Sequence, residues 1–277
     1  MIDTCTGNMK PAEVLFIDQP WLLTPEAHAA LVCASRSFFE SPPQIVPEPE
    51  SPLLSVEDGV GIVTISGPII RRPGLIAQFL FGATDTEAII EAVAEAAENA
   101  SVQAVLLDVD SPGGSVSGTP ELAQAVADLS RGKYTYAFTA GQMCSAAYWV
   151  ASQCDAIYMT PSARVGSIGV IASILDTSEA LRAEGIKVEV FAAGKYKSLG
   201  TSGVPLTDEQ RSLLQQNVEE IAADFRAAVL ARGRKIPDEA MEGQTFSAKA
   251  AMRMNLAGTI RSRADALAML RSRHVRG

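Results

Sequence analysis

From Val56 onward, short continuous apolar runs alternate with longer stretches in which apolar residues recur every three or four positions. The runs at residues 61–66, 104–109, 134–139, 156–159 and 188–192 have strand length, and several are continuous enough to predict strands covered on both faces. Between them the periodicity predicts helices. Thr84 with Glu87 reads as a capping box opening a helix to about Asn99, with Ile90, Val93 and Ala97 on one face. A second helix follows Ser115 and runs to about Leu129. Thr207 with Gln210 opens a longer one, striped by Leu214, Val218, Ile221, Phe225 and Val229, with Gly233 near its end. Strands alternating with helices build a mostly parallel sheet with crossover helices, so the main body is of the α/β class.

The first fifty residues follow a different pattern. A helix is expected over residues 25–39, capped by Thr24 with Pro25 at its first position. Pro42, Pro43, Pro47, Pro49 and Pro52 then exclude helix interior and central strand and predict an extended linker. The chain divides on this reading into an N-terminal helical appendage (1–55), a main domain (56–262) and a basic C-terminal tail (263–277). No repeat of the solenoid kind is present.

Composition narrows the setting. With 47% apolar and 20% charged residues over 277 positions, the chain has the balance of a globular protein. Its most apolar stretches, residues 75–83 and 165–175, are too short and interrupted for a membrane span. The start lacks the basic and then apolar pattern of a secretory signal, so a cytoplasmic location is expected. Lys and Arg number 23 against 32 Asp and Glu, a net charge of -9 that argues against nucleic acid or an anionic membrane as partner. The local exception, Arg261, Arg263, Arg271, Arg273 and Arg276, reads as a solvated helix and tail. Cys5, Cys33, Cys144 and Cys154 show no CxxC spacing and read as free thiols. The two histidines, His28 and His274, lie near the chain ends.

Two segments could carry chemistry. Residues 108–115, Asp-Val-Asp-Ser-Pro-Gly-Gly-Ser, end an apolar run and precede a helix, where open α/β sheets place their sites. Paired glycines leave backbone N–H groups exposed to an anion or oxyanion, and they also make a good turn. The Gly-Lys-Ser/Thr ending of a phosphate loop is missing. Ser145, in Cys-Ser-Ala-Ala-Tyr, stands at a helix start among small residues, as a nucleophile would, or as a simple helix cap. Cys144 has no ionising neighbour in the sequence and reads as packing. With the histidines outside the α/β core, a base for Ser145 would be a lysine kept neutral by burial, and Lys197 in Gly-Lys-Tyr-Lys-Ser is the candidate.

Five segments taken in order resemble the signal peptide peptidase A family of serine peptidases: Asp-Ser-Pro-Gly-Gly at 110–114, Cys-Ser-Ala-Ala-Tyr at 144–148, Val-Gly-Ser-Ile-Gly-Val at 165–170, Gly-Lys-Tyr-Lys-Ser at 194–198 and Gly-Gln-Thr-Phe-Ser-Ala-Lys-Ala-Ala at 243–251. The likeness covers roughly residues 56–260 and is greater to the phage branch, the capsid-protein-C-like head maturation proteases, to which Pro20-Trp21 and Thr24-Pro25-Glu26 are also similar. The resemblance implies a ClpP/crotonase-like fold, Ser145 as nucleophile, Lys197 as general base, Gly114 and Ala146 as oxyanion N–H donors, and Ser167 as a residue orienting the lysine. Ala146-Ala147 departs from the two glycines of the cellular members; a backbone donor survives, and the added methyls narrow the cleft.

The activity so implied is peptide hydrolysis through an acyl-enzyme, without metal or cofactor, in a ring-shaped homo-oligomer whose protomers share the Ser–Lys pair. Scaffold or capsid proteins are the expected substrates, in host cytoplasm or an immature phage head. Three alternatives stay open: a host peptidase of the same family, a crotonase-type acyl-CoA hydratase or isomerase, and a non-catalytic head-assembly protein.

Overall fold

The computed structural model describes residues 20–29, 52–260 and 262–273. The apolar run Ala-Val-Leu-Leu-Asp-Val-Asp forms β6 (Ala104–Asp110), whose β-branched and leucine side chains are covered on both faces. It pairs in parallel with β3 (Val60–Ser66) on one side and β8 (Tyr134–Thr139) on the other. β10 (Ala156–Met159) and β13 (Gly258–Thr259) extend the sheet in parallel beyond β8. At the opposite edge β2 (Leu54–Glu57) pairs antiparallel with β3, giving the order β13-β10-β8-β6-β3-β2. Asp58 and Gly59 both have positive φ, the two-residue turn that joins twisted antiparallel strands with least distortion. The α/β expectation with a mostly parallel sheet holds.

The helices α1 (Leu75–Phe81), α5 (Ser178–Ala183) and α7 (Ala248–Arg253) are short. One sheet face is covered by α2 (Thr86–Glu98) and α3 (Thr119–Gly132), which contribute Ile89, Val93, Leu122 and Val126 to the main core. The other face is covered by α8 (Arg263–Arg271), whose Ala266, Leu267 and Leu270 pack with Ile62, Leu106 and Phe138. The stretch expected as the start of a solvated tail is thus a docked helix. Its charged face is tied down by Arg263 to Asp108 at 2.7 Å and Arg271 to Asp58 at 2.9 Å.

Several local expectations change. Asp85, not Thr84, caps α2: its side chain accepts the Glu87 N–H at 3.0 Å. Thr84 belongs to β5 (Thr84–Asp85), with its hydroxyl on the Ser66 carbonyl, and the Glu87 carboxylate is held by Arg71 and Arg72. The buried stripe of α2 is rotated accordingly to Ile89, Ala92, Val93 and Ala96, leaving Ile90 half-buried and Ala97 exposed. Residues 188–192 form no strand. They pair with no strand edge among the described residues, and Val188, Val190 and Phe191 face solvent, Phe191 at 92% exposure.

By contrast, the Thr207–Gln210 capping box is present, opening α6 (Asp208–Leu230). Only the C-terminal half of its stripe is buried, through Phe225 and Val229. Phe225 stacks on Trp149 with ring centres 4.7 Å apart.

Two small sheets flank the main one. β1 (Trp21–Leu23), β7 (Gly113–Ser115), β4 (Ile69–Ile70) and β5 form one; β12 (Thr245–Ser247), β11 (Arg164–Gly166) and β9 (Gln142–Cys144) form the other. β1 is therefore built into the body and is no part of a peripheral appendage. Thr24 accepts the Ala27 N–H at 3.2 Å and caps the helical residues 25–29; the rest of the expected helix and most of the proline run lie outside the described residues. Among the described residues no helix is long and apolar enough to cross a membrane.

Candidate active site

The end of β6, the Ser-Pro-Gly-Gly turn and β9 are laced together by backbone hydrogen bonds. Ser111 donates to Gln142 at 2.8 Å, Cys144 donates to Ser111 at 3.1 Å, and the Asp110 carboxylate accepts the Gln142 N–H at 3.0 Å. A side chain at Gly141 would overlap that carboxylate. β9 thus leaves the sheet along a fixed path and delivers Ser145 to the start of α4 (Ala146–Ala151).

Ser145 has φ 53° and ψ -119°, a backbone state that costs a residue with a side chain about 1–3 kcal/mol. The conformation is held by the Ser145 N–H on the Gly166 carbonyl at 2.8 Å and by the Trp149 N–H on the Ser145 carbonyl at 2.9 Å. Its hydroxyl does not cap α4: Oγ is fully buried and, among the described residues, has no hydrogen-bond partner. A buried, unpaired hydroxyl on strained backbone is the opposite of what a structural cap looks like.

Gly113 and Gly114 pass beside it. Gly113 has φ 111°, and a methyl there would overlap the Leu22 carbonyl and stand 2.9 Å from Ser145 Cβ. Gly114 is flanked by Leu22 of β1 and Ile69 of β4, with no room for a side chain against the Ile69 backbone. Ala146 is the first residue of α4, so its N–H has no acceptor within the helix. Ser167 follows β11, which runs in register with β9 (Gly166 opposite Cys144), and is itself buried at φ 53° with its N–H on the Gln244 carbonyl at 2.8 Å. The 243–251 motif therefore acts as a buttress: β12 pairs with β11, and the Gly243 N–H holds Ile168.

The structure brings Ser145, Ala146, Gly113, Gly114 and Ser167 together. It does not bring in Lys197, which lies in an exposed turn with its N–H on the Gly194 carbonyl and makes no hydrogen bond to Ser145. His28 makes none either. Cys144 is buried, with its thiol pushed up to about 12 by desolvation, so no thiolate is available at neutral pH. Tyr148 is fully buried and donates to the Leu256 carbonyl at 2.8 Å, anchoring α4. Among the described residues no cluster of His, Cys, Asp or Glu could hold a metal ion.

Sequence reasoning missed the involvement of β1 and the antiparallel β2–β3 pair. The Asp58-Gly59 dipeptide signals the latter; Trp21-Leu22-Leu23 is too short to carry a periodic signal.

The chain is similar to capsid assembly protease C of Escherichia phage lambda, 28% identical over 78% of this chain and 49% of that protein. It matches head-tail preconnector protein GP5 of Enterobacteria phage P21 at 28% identity over 78% of this chain and 43% of that one. A plant relative, the chloroplastic serine protease SPPA of Arabidopsis thaliana, is 24% identical over 78% of this chain and 32% of its own length. The chain thus spans less than half the length of each of these curated relatives. Among solved structures, an enoyl-CoA hydratase/isomerase family protein from Silicibacter pomeroyi superposes with a TM-score of 0.45 at 16% identity, covering 80% of this chain and 82% of that one. That likeness is too loose to bear on function. The profile of peptidase family S49 matches residues 127–275, more than half of the sequence and including Ser145, and the chain belongs to that family.

Proposed function

We propose that this chain is a serine endopeptidase that hydrolyses peptide bonds through an acyl-enzyme on Ser145. The observation that carries the reading is the Ser145 hydroxyl, buried and unpartnered on strained backbone beside Gly113. In the reaction a neutral lysine amine takes the Ser145 proton as Oγ attacks the substrate carbonyl. The N–H groups of Gly114 and Ala146 face the developing oxyanion, a contribution worth roughly 100- to 1000-fold in rate for each donor. The tetrahedral adduct collapses as the lysine returns its proton to the leaving amine. Water, deprotonated by the same lysine, then releases the acid and restores the Ser145 hydroxyl. Ser167 orients the lysine.

The base is assigned to Lys197 of the partner subunit in a ring-shaped homo-oligomer. Two features support the sharing. Lys197 is exposed and makes no hydrogen bond to the buried Ser145 hydroxyl in the single chain, and the segment before it exposes Ile186, Val188, Val190 and Phe191, an apolar surface that burial in an interface would cover. Such burial also favours the uncharged amine. The name of the lambda relative, a capsid assembly protease, supports protein substrates from capsid assembly; that these are scaffold or capsid proteins, cut in the host cytoplasm or inside an immature head, follows from the motif resemblance. Mixing inactive Ser145→Ala with inactive Lys197→Ala chains tests the shared site. Peptidase activity should return in mixed rings, and verified mixed rings with no recovery would rule it out.

A further inference from the structure

β1 crosses the candidate site as a peptide would. It is bonded along both edges: antiparallel to β7 on one side, and on the other through Trp21, whose N–H donates to the Ile171 carbonyl at 2.7 Å and whose carbonyl accepts the Ile171 N–H at 3.0 Å. The Thr24 N–H donates to the Pro112 carbonyl at 3.2 Å. Bonded pairs alternate along an antiparallel ladder, so Leu22 and Gly114 form the next bonded pair, and the Gly114 N–H is directed at the Leu22 carbonyl. That carbonyl and Ser145 Cβ both crowd the point where a Gly113 side chain would stand. Trp21, Leu22 and Leu23 are buried, and Ser145 beneath them has no exposure to solvent.

The Leu22 carbonyl thus lies beside Ser145 Cβ and opposite the Gly114 N–H, the donor assigned to the oxyanion. We infer that β1 is an internal stand-in for substrate. A substrate peptide binds extended and antiparallel to β7, with an aliphatic residue where Leu22 lies, by displacing β1, and β1 holds the groove closed until then. Strand addition of this kind supplies affinity through the same backbone bonds for either occupant. The inference rests on the reading of Ser145 as the acylated residue.

A fluorescent peptide of residues 19–25, Gln-Pro-Trp-Leu-Leu-Thr-Pro, is titrated by anisotropy against full-length Ser145→Ala chains with and without Leu22→Asp. A carboxylate in that apolar position should evict β1 and remove the internal competitor, tightening peptide binding by about tenfold or more. Circular dichroism shows whether the variant remains folded. A second measurement needs no change in β1: hydrogen exchange at the amides of Trp21, Leu22 and Thr24 in the unsubstituted chain should speed up at least about tenfold with saturating peptide, because displaced amides lose their ladder bonds. Equal or undetectable peptide binding by the two folded chains, or unchanged exchange at saturation, would overturn the inference. Fluorophosphonate labelling of the Leu22→Asp chain with Ser145 intact separates the two readings. Peptide binding without labelling leaves β1 as the groove's occupant and removes Ser145 as nucleophile.

Discussion

Replacing Ser145 by glycine should stabilise the fold while abolishing acylation. Two costs are written into that position. The backbone at φ 53° and ψ -119° suits glycine and costs other residues about 1–3 kcal/mol. The buried hydroxyl without a partner costs about another 1–3 kcal/mol. Glycine removes both and gives back about 0.5–1 kcal/mol through the freedom it adds to the unfolded chain. The net gain is roughly 3 kcal/mol at the centre of these ranges, or a rise of about 6 °C in Tm at ~2 °C per kcal/mol. Ser145→Ala sheds the hydroxyl but keeps the strain, so it should fall between glycine and wild type. Urea and thermal melts of the three chains at pH 7 make the comparison. If glycine proves less stable than alanine, the backbone is not strained; if both fall below wild type, the hydroxyl has a partner.

Gly114→Ala drives a methyl into the Ile69 backbone, so β4 and β7 must separate; a loss of about 2 kcal/mol or more in a urea melt, together with lost acylation, is expected. The buried thiols of Cys144 and Cys154, both pushed up to about 12 by desolvation, should resist iodoacetamide at pH 8 until the chain is unfolded, as read by mass spectrometry. Their linkage has a definite sign. Above an ordinary thiol value near 9.0 the unfolded chain releases protons that the folded chain keeps, so their contribution is full below that pH and is lost as pH rises toward about 12. A Cys144→Ala, Cys154→Ala chain should show a flatter alkaline decline.

The parallel sheet was legible because its strands are buried on both faces, and continuous apolar runs such as 104–109 have no other economical use. The Thr207–Gln210 box was legible because both halves of that device lie within four residues. At Thr84 the same pattern misled: Asp85 makes a better cap, and the Ser66 carbonyl claims the threonine hydroxyl. Residues 188–192 have strand composition, but a strand also needs an edge, which sequence does not reveal. For the site, the glycine pair and Ser145 could be picked out by residue type and placement after apolar runs. The contribution of β1 could not, because three residues bonded to segments about 90 and 150 positions away leave no local trace.

The central claim is that Ser145 is the acylated nucleophile. Prolonged reaction of the full-length chain with a fluorophosphonate, followed by peptide mapping in a mass spectrometer, tests it most directly. The account predicts one adduct, on Ser145, absent from Ser145→Ala. An unmodified Ser145 in a folded, assembled protein, or an adduct on a different serine such as Ser111 or Ser167, would contradict it.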